Sequence, residues 1–225
     1  MTERYDIRGL IFDLDGVLTN TSEFHYRGWQ RFCDEEGIPF DRRRNEHLRG
    51  VSRADAMRWL LGDRSVTPGE FEEMLARKNR YYLQYLEELL PANLLPGARE
   101  LLEQIRAAGL KIAVASASKN APKVVRLLQI EPLLDALSDG NSIEESKPAP
   151  DLFLHAASQL DLPPATCVAV EDAEAGVLAG HAAGMRVIGL GPPRRVGRAD
   201  LILPDLSEAR LGTIMNKLLP IAPPA

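Results

Sequence analysis

Apolar positions fall in blocks along this chain, and the blocks change period. The first is Leu10-Ile11-Phe12, which predicts a buried strand at 7–13. The spacing then turns helical. Phe24, Trp29, Phe32 and Cys33 share one face of a helix over 23–36, with Ser22 as its cap, Gly37 as its stop and Pro39 just beyond. A short helical segment follows at 42–48. Ser52 with Asp55 is a capping-box pattern for a helix at 53–61. Thr67-Pro68-Gly69-Glu70 repeats that logic for a helix from 68 to about 90, with Phe71, Leu75, Tyr82 and Leu86 on its apolar face. Residues 20–90 therefore read as all helix, closed by Pro91 and Pro96-Gly97.

Beyond that point strands and helices alternate. Helices are predicted at 98–108, 121–129, 150–160, 173–183 and 206–219, and strands at 111–116, 134–137, 167–170, 186–190 and 201–203. Alternation of this kind implies an α/β fold: a Rossmann-like, doubly wound parallel sheet with helices on both faces. The strand at 7–13 belongs to that sheet, but its partners begin only after residue 97. The expected organisation is a core of residues 1–19 and 91–225 with an inserted all-helical cap at 20–90. An insertion launched from the end of a sheet strand sits over the strand ends, where it suits a lid on a ligand site.

The chain has 225 residues, enough for one large domain or a domain with a smaller insertion. Its net charge of −5 gives no electrostatic case for nucleic acid or an anionic membrane as partner. Arg42-Arg43-Arg44 lies between Asp41 and Glu46 and reads as a solvated helix face. Cys33 and Cys167 read as small buried residues without metal-ligand spacing or a disulfide. The N-terminus carries no signal-peptide pattern, and no apolar run is long enough to span a bilayer, so a cytoplasmic location is expected.

The first strand ends in Asp13-Leu14-Asp15-Gly16. Side chains two apart on an extended chain point to one side, so Asp13 and Asp15 converge if Leu14 stays extended. They are either acids facing water at a strand end or part of a carboxylate site for Mg²⁺. Three other stretches fall at the same edge of the expected sheet. Ser116 follows one strand, Lys147 stands in a polar loop before a helix, and Glu171-Asp172 follows another strand. Each has a plain reading alone: a strand-end cap, a surface lysine, and acids capping the next helix. Gly176 and Gly180 read as close helix–sheet packing. Together, Asp13, Glu171 and Asp172 suit Mg²⁺, which prefers hard oxygen ligands. A carboxylate there can act as nucleophile on phosphorus, and a second acid can move the proton. Lys147 and Ser116 would hold phosphoryl oxygens.

As a set, Phe12-Asp13-Leu14-Asp15-Gly16-Val17, Ser116, Lys147-Pro148 and Glu171-Asp172 resemble the four motifs of the haloacid dehalogenase-like phosphotransferases. The resemblance spans nearly the whole chain. It implies Asp13 as nucleophile, Asp15 as general acid/base, an aspartyl-phosphate intermediate, and Mg²⁺ held by Asp13, the backbone carbonyl of Asp15, Glu171 and Asp172. Further stretches are similar to the β-phosphoglucomutase branch of that family: Thr19-Asn20-Thr21, His25, Trp29, Gly50-Val51-Ser52-Arg53, Arg77-Lys78-Asn79 and Val114 to Asn120. That branch interconverts β-D-glucose 1-phosphate and glucose 6-phosphate through β-glucose 1,6-bisphosphate, which primes the enzyme. By this resemblance Arg53, Ser118 and Asn120 would bind the phosphate that is not being transferred. Thr21, His25, Gly50, Val51, Lys78 and Ala117 would place the sugar or time cap closure, in a monomer. Asn20 stands where that branch is expected to carry aspartate, Arg49 where it carries lysine and Ala56 where it carries serine; none belongs to the phosphoryl-transfer set.

Three functions compete on these residues. A phosphosugar mutase passes the phosphoryl group to a sugar hydroxyl. A sugar-phosphate phosphatase passes it to water and has no need of Arg53. A non-catalytic sugar-phosphate sensor needs no general acid, and so no Asp15.

Overall fold

The structure, a computed structural model, describes residues 6–48 and 51–218. Six parallel strands form one sheet in the order β3-β2-β1-β4-β5-β6. They are β1 (Gly9–Phe12), β2 (Lys111–Ala115), β3 (Ala136–Ser138), β4 (Cys167–Glu171), β5 (Arg186–Leu190) and β6 (Leu201–Leu203). The chain builds outward from β1 through β2 to β3, then crosses back to lay down β4, β5 and β6 on the other side. The direction of winding therefore reverses between β1 and β4, and this is the place where open α/β sheets bind ligands at their carboxyl ends. Phe12 lies level with Val114 on one side and Val170 on the other, so the ends of these three strands are flush.

Alternation along β1 sorts its side chains between two layers. Leu10 and Phe12 face Leu102, Ile105, Val124 and Ile214, which come from α5 (Ala98–Ala107), α6 (Ala121–Leu127) and α10 (Leu211–Leu218). Ile11 faces Leu152, Phe153, Ala156 and Val177 from α7 (Asp151–Gln159) and α8 (Glu174–Ala182). Burying a side chain the size of Phe12 is worth roughly 1.5–3 kcal/mol. Cys33 and Cys167 are buried and unbridged. Among the described residues no helix is long and apolar enough to cross a membrane.

Four helices stand between β1 and α5: α1 (Ser22–Glu36), α2 (Arg42–Asn45), α3 (Arg53–Leu61) and α4 (Pro68–Leu86). Trp29, Phe32, Cys33, Met57, Leu60 and Met74 give them a core of their own. The C-terminal end of α4 belongs elsewhere: Tyr82, Leu86 and Leu89 join Leu14, Val17 and Leu18 in the main core. One of the two expected capping boxes forms in full, with Thr67 and Glu70 bonding reciprocally; at α3 the Ser52 hydroxyl accepts from Asp55 N at 3.1 Å, but the Asp55 carboxylate returns to that hydroxyl and not to the Ser52 backbone.

Several boundaries differ from the sequence expectation, each for a local reason. Ser22 is the first residue of α1 rather than its cap; its hydroxyl bonds the side chain of Asn20, and Thr21 takes the cap position without a side-chain bond. α4 stops at Leu86 instead of 90, because the next turn tightens (Leu89 N to Leu86 O, 3.1 Å) and delivers Leu89 into the core. Leu90 N is then taken by the Asn93 side chain at 2.7 Å. The last helix begins at Leu211 rather than 206, since Leu206 is buried and Ser207 N is held by the Asp205 carboxylate at 2.8 Å. A short helix, α9 (Pro193–Val196), follows β5 and was not expected.

Candidate active site

The site begins where β1 runs out. Asp13 N donates to Val170 O at 2.9 Å, which keeps the chain extended one residue past the strand. Leu14 is fully buried, and Asp13 and Asp15 face away from it together. Gly16 then turns back with φ +91°, and its N–H donates to Thr19 O at 2.7 Å. A β-carbon at Gly16 would strike the Asp172 carboxylate, so the glycine opens the space that this acid occupies.

Asp13, Glu171 and Asp172 each offer an oxygen within 4.8 Å of the others, and all three are buried. Glu171 ends β4, and its Oε2 accepts from the backbone N–H of Asp172 at 3.0 Å and of Ala173 at 3.3 Å. Gly176 leaves room for the Glu171 carboxyl, where a β-carbon would collide with it; Gly180 lets α8 approach Val187 of β5. The Lys147 ammonium lies among these acids. It donates to Asp13 Oδ1 at 2.5 Å, to Ala115 O at 3.2 Å and to Glu171 Oε1. Ser116, 1 % exposed, follows β2, and its hydroxyl accepts from Ser118 N at 3.2 Å.

Three carboxylates here meet one ammonium. If all ionise, two negative charges stay buried and unbalanced, which is costly unless a cation joins them. A divalent hard cation fits this donor set. Burial pushes the Asp13 carboxyl up and the charge of Asp172 adds to the rise, against the pull of Lys147. Burial also raises Glu171, again against Lys147. For Lys147, burial alone favours the neutral amine, but Asp13 and Glu171 outweigh it and hold the ammonium above its ordinary value. Asp15 is raised from 3.8 to about 8, first by loss of solvation and then by the charges of Asp13 and Asp172. Its Oδ1 is buried without a hydrogen-bond partner.

Opposite these acids, α1, α3 and α4 bring cations. His25 Nε2 lies 3.8 Å from Asp15 Oδ2, and its ring stacks on Tyr82 at 4.0 Å. Lys78 Nζ donates to His25 Nδ1 at 2.9 Å, which leaves the ring proton on the nitrogen facing Asp15. Burial, then Lys78 and Arg53, hold His25 well below its ordinary value and keep it neutral. Burial and Arg53 likewise depress Lys78. The α4 sequence pattern had suggested a stripe of Phe71, Leu75, Tyr82 and Leu86. The fully buried stripe is Met74, Lys78, Tyr82 and Leu86, and Phe71 and Leu75 are only half-buried.

A cavity of about 560 Å³ lies between the acids and these cations, a size suited to a small ligand. Asp13, Asp15, His25, Val51, Arg53, Lys78, Ser116, Ala117, Ser118 and Asp172 line it. Lys147 and Glu171 stand behind Asp13 instead of on the wall, and Thr21 is fully buried at the start of α1. Asn120 does not line the cavity; it donates to the Asn79 side chain at 2.8 Å and so ties α4 to the loop after β2. Gly50 and Arg49 lie outside the described residues. Other wall residues were not among the candidates, Asp55 and Asn79 among them. Asp55, read only as a capping residue, also accepts from the Ser146 hydroxyl at 2.7 Å, next to Lys147. Asn79 stood in the Arg77-Lys78-Asn79 stretch of the resemblance but was given no role of its own.

Residues 7–184 match the haloacid dehalogenase-like hydrolases. The chain belongs to this family. It is an enzyme, a phosphotransferase of the haloacid dehalogenase-like type. Among its relatives, β-phosphoglucomutase of Bacillus subtilis is 41% identical over 209 residues, covering 91% of this chain and 92% of that one. A phosphorylated carbohydrates phosphatase of Thermotoga maritima is 26% identical over 215 residues, covering 94% and 98%. In structure, β-phosphoglucomutase of Clostridium difficile superposes with a TM-score of 0.91 at 33% identity, covering 94% of this chain and 96% of that one.

The raised Asp15 makes the stability of the metal-free protein depend on pH. Below 3.8 Asp15 is protonated in both folded and unfolded chains and contributes nothing. Above 3.8 the unfolded chain ionises first, so folding is progressively disfavoured until Asp15 itself ionises near 8. In EDTA, urea midpoints should therefore fall between about pH 4 and 8, and Asp15→Asn should flatten part of that slope. An unchanged slope in the variant would show that Asp15 is not held protonated.

Proposed function

We propose that this enzyme is a β-phosphoglucomutase, interconverting β-D-glucose 1-phosphate and D-glucose 6-phosphate through β-glucose 1,6-bisphosphate. One observation carries the reading: a single cavity is lined by the acids Asp13, Asp15 and Asp172 and also by Arg53 and Ser118. A bisphosphate has two anionic ends, and a guanidinium fork suits the one that stays put. The identity to the Bacillus subtilis mutase supports the same reading.

In the proposed reaction the Asp13 carboxylate attacks the phosphorus of one phosphate of the bisphosphate. The bond to the sugar oxygen breaks, and Asp15, protonated at neutral pH, gives its proton to that oxygen. The products are the aspartyl phosphate on Asp13 and a glucose monophosphate. In the second half-reaction the opposite hydroxyl of a monophosphate loses its proton to Asp15 and attacks the phosphorus, freeing Asp13. Asp13, Glu171, Asp172 and the backbone carbonyl of Asp15 would hold Mg²⁺, which supplies positive charge against the phosphoryl oxygens. Lys147 orients Asp13 and favours its ionised form, and Ser116 offers its hydroxyl to a phosphoryl oxygen. Neutral His25, held by Lys78, steadies the Asp15 carboxyl. Thr21 sets the start of α1 under His25, and Val51 and Ala117 bound the sugar space. Residues 20–90 act as the cap on a catalytic core of 1–19 and 91–225, and the cap excludes water from the phosphoenzyme.

With Mg²⁺ and a trace of β-glucose 1,6-bisphosphate, the protein should convert β-glucose 1-phosphate to glucose 6-phosphate. Stoichiometric inorganic phosphate in place of the isomer would instead make it a phosphatase, as the Thermotoga maritima relative is named. Arg53→Ala should raise the bisphosphate concentration for half-maximal rate by about tenfold or more, because charge-assisted bonds to phosphate are lost. Hydrolysis of a small aryl phosphate should change far less. Equal losses on both substrates would contradict the assignment of Arg53.

A further inference from the structure

β5 ends at Leu190, and the chain passes through Gly191 and Pro192 into α9. Arg195 on this short helix reaches back toward the turn between β4 and α8. Its Nε donates to the backbone carbonyl of Asp172 at 2.6 Å. Its Nη2 donates to Leu190 O at 3.4 Å and lies 3.8 Å from Asp172 Oδ2. The guanidinium thus joins the end of β5 to one of the three clustered acids. The path is built for it: Gly191 has φ +113°, and a β-carbon there would stand 2.5 Å from Nη2. Any other residue at 191 would be strained and would also displace the guanidinium.

We infer that Arg195 is a positioning residue for the metal site, fixing the backbone of Asp172 so that its carboxylate is presented to a divalent cation. The inference rests on reading Asp172 as a metal ligand. Asp172 lies in the short turn between β4 and α8, and the orientation of its backbone sets where its Cα–Cβ bond points. The bond from Nε sets that orientation from outside the ligand set, as outer-shell partners do at metal sites. The charge of Arg195 works against a cation, but the two effects are unequal. The anchor is a contact at 2.6 Å, while the charge lies 3.8 Å from Oδ2 on a side chain that is 30% exposed and screened by water. Anchoring therefore prevails, and removing Arg195 weakens cation binding rather than strengthening it.

Two substitutions separate anchor from charge. In Arg195→Gln the amide nitrogen stands where Nε stood, so the donor is kept and the charge is lost. In Arg195→Met both are lost at similar length. Mg²⁺ is titrated calorimetrically into each intact, metal-free protein, with folding checked by melting in EDTA. We expect Arg195→Met to bind Mg²⁺ about 10- to 100-fold more weakly than the parent and Arg195→Gln to stay within about threefold. If the Met variant does not fold, Arg195→Leu serves the same comparison. Parent-like or tighter binding by the apolar variant overturns the inference. So does an equal loss in the Gln and apolar variants, which would show that the bond from the Nε position to the Asp172 carbonyl does not carry the effect. Absence of Mg²⁺ binding by the parent would overturn the metal site itself and this inference with it, whatever the protein's reaction.

Discussion

The buried imbalance at the carboxyl edge of the sheet governs this structure. Asp13, Glu171 and Asp172 come from β1 and β4 at the winding reversal, and one ammonium, Lys147, is set among them. Buried charge of one sign is expensive, and pairing one lysine with three acids relieves only part of the cost. What remains suits a divalent cation and the phosphoryl group it would help hold. The sheet makes the arrangement possible, since flush parallel strands deliver three chain ends to one place. Glycines make room for it: Gly16 beside Asp172 and Gly176 beside Glu171.

The cap side carries the opposite imbalance. Arg53, Lys78 and His25 crowd together; burial lowers all three, Arg53 adds to the lowering of Lys78, and both add to that of the histidine. An anion between the two sides offsets both. Asp15 stands where they meet, its Oδ2 facing neutral His25 and its Oδ1 without a partner. A proton on Asp15 at neutral pH then has a use, because the oxygen leaving phosphorus must receive one. Side-chain bonds between Asp55 and Ser146 and between Asn79 and Asn120 hold the helical block against the core in the described arrangement. In the proposed reaction, a wall that keeps water from the phosphoryl group would favour a sugar hydroxyl as acceptor, which is the difference between a mutase and a phosphatase on the same acids.

Much of this was legible in the sequence, and for definable reasons. Strands such as 186–190 and 201–203 lie between strong punctuators, and their bounds coincide with those of β5 and β6. The acids and Ser116 lie at strand ends and Lys147 in the loop between β3 and α7, at the same edge of the sheet, where topology brings them together. Contacts across the fold were less legible. Lys78 sits in an apolar stripe at helical spacing, and nothing local says that a lysine there is buried against a histidine 53 positions earlier. Arg195 looks like half of a surface Arg-Arg pair until α9 turns it onto Asp172. The early end of α4 follows from the burial of Leu89, a tertiary effect that overrides helix periodicity. Asn120 suggested a phosphate contact and instead bonds Asn79.

The proposed reaction has Asp13 take the phosphoryl group and the cap hand it to sugar rather than to water. It is tested most directly by labelling the protein with phosphorus-32 from glucose 1,6-bisphosphate and Mg²⁺, mapping the labelled peptide, and chasing with β-glucose 1-phosphate. The expected result is a base-labile acyl phosphate on Asp13 that is discharged mainly into glucose bisphosphate. Label on another residue, or discharge mainly into inorganic phosphate during the chase, would contradict it.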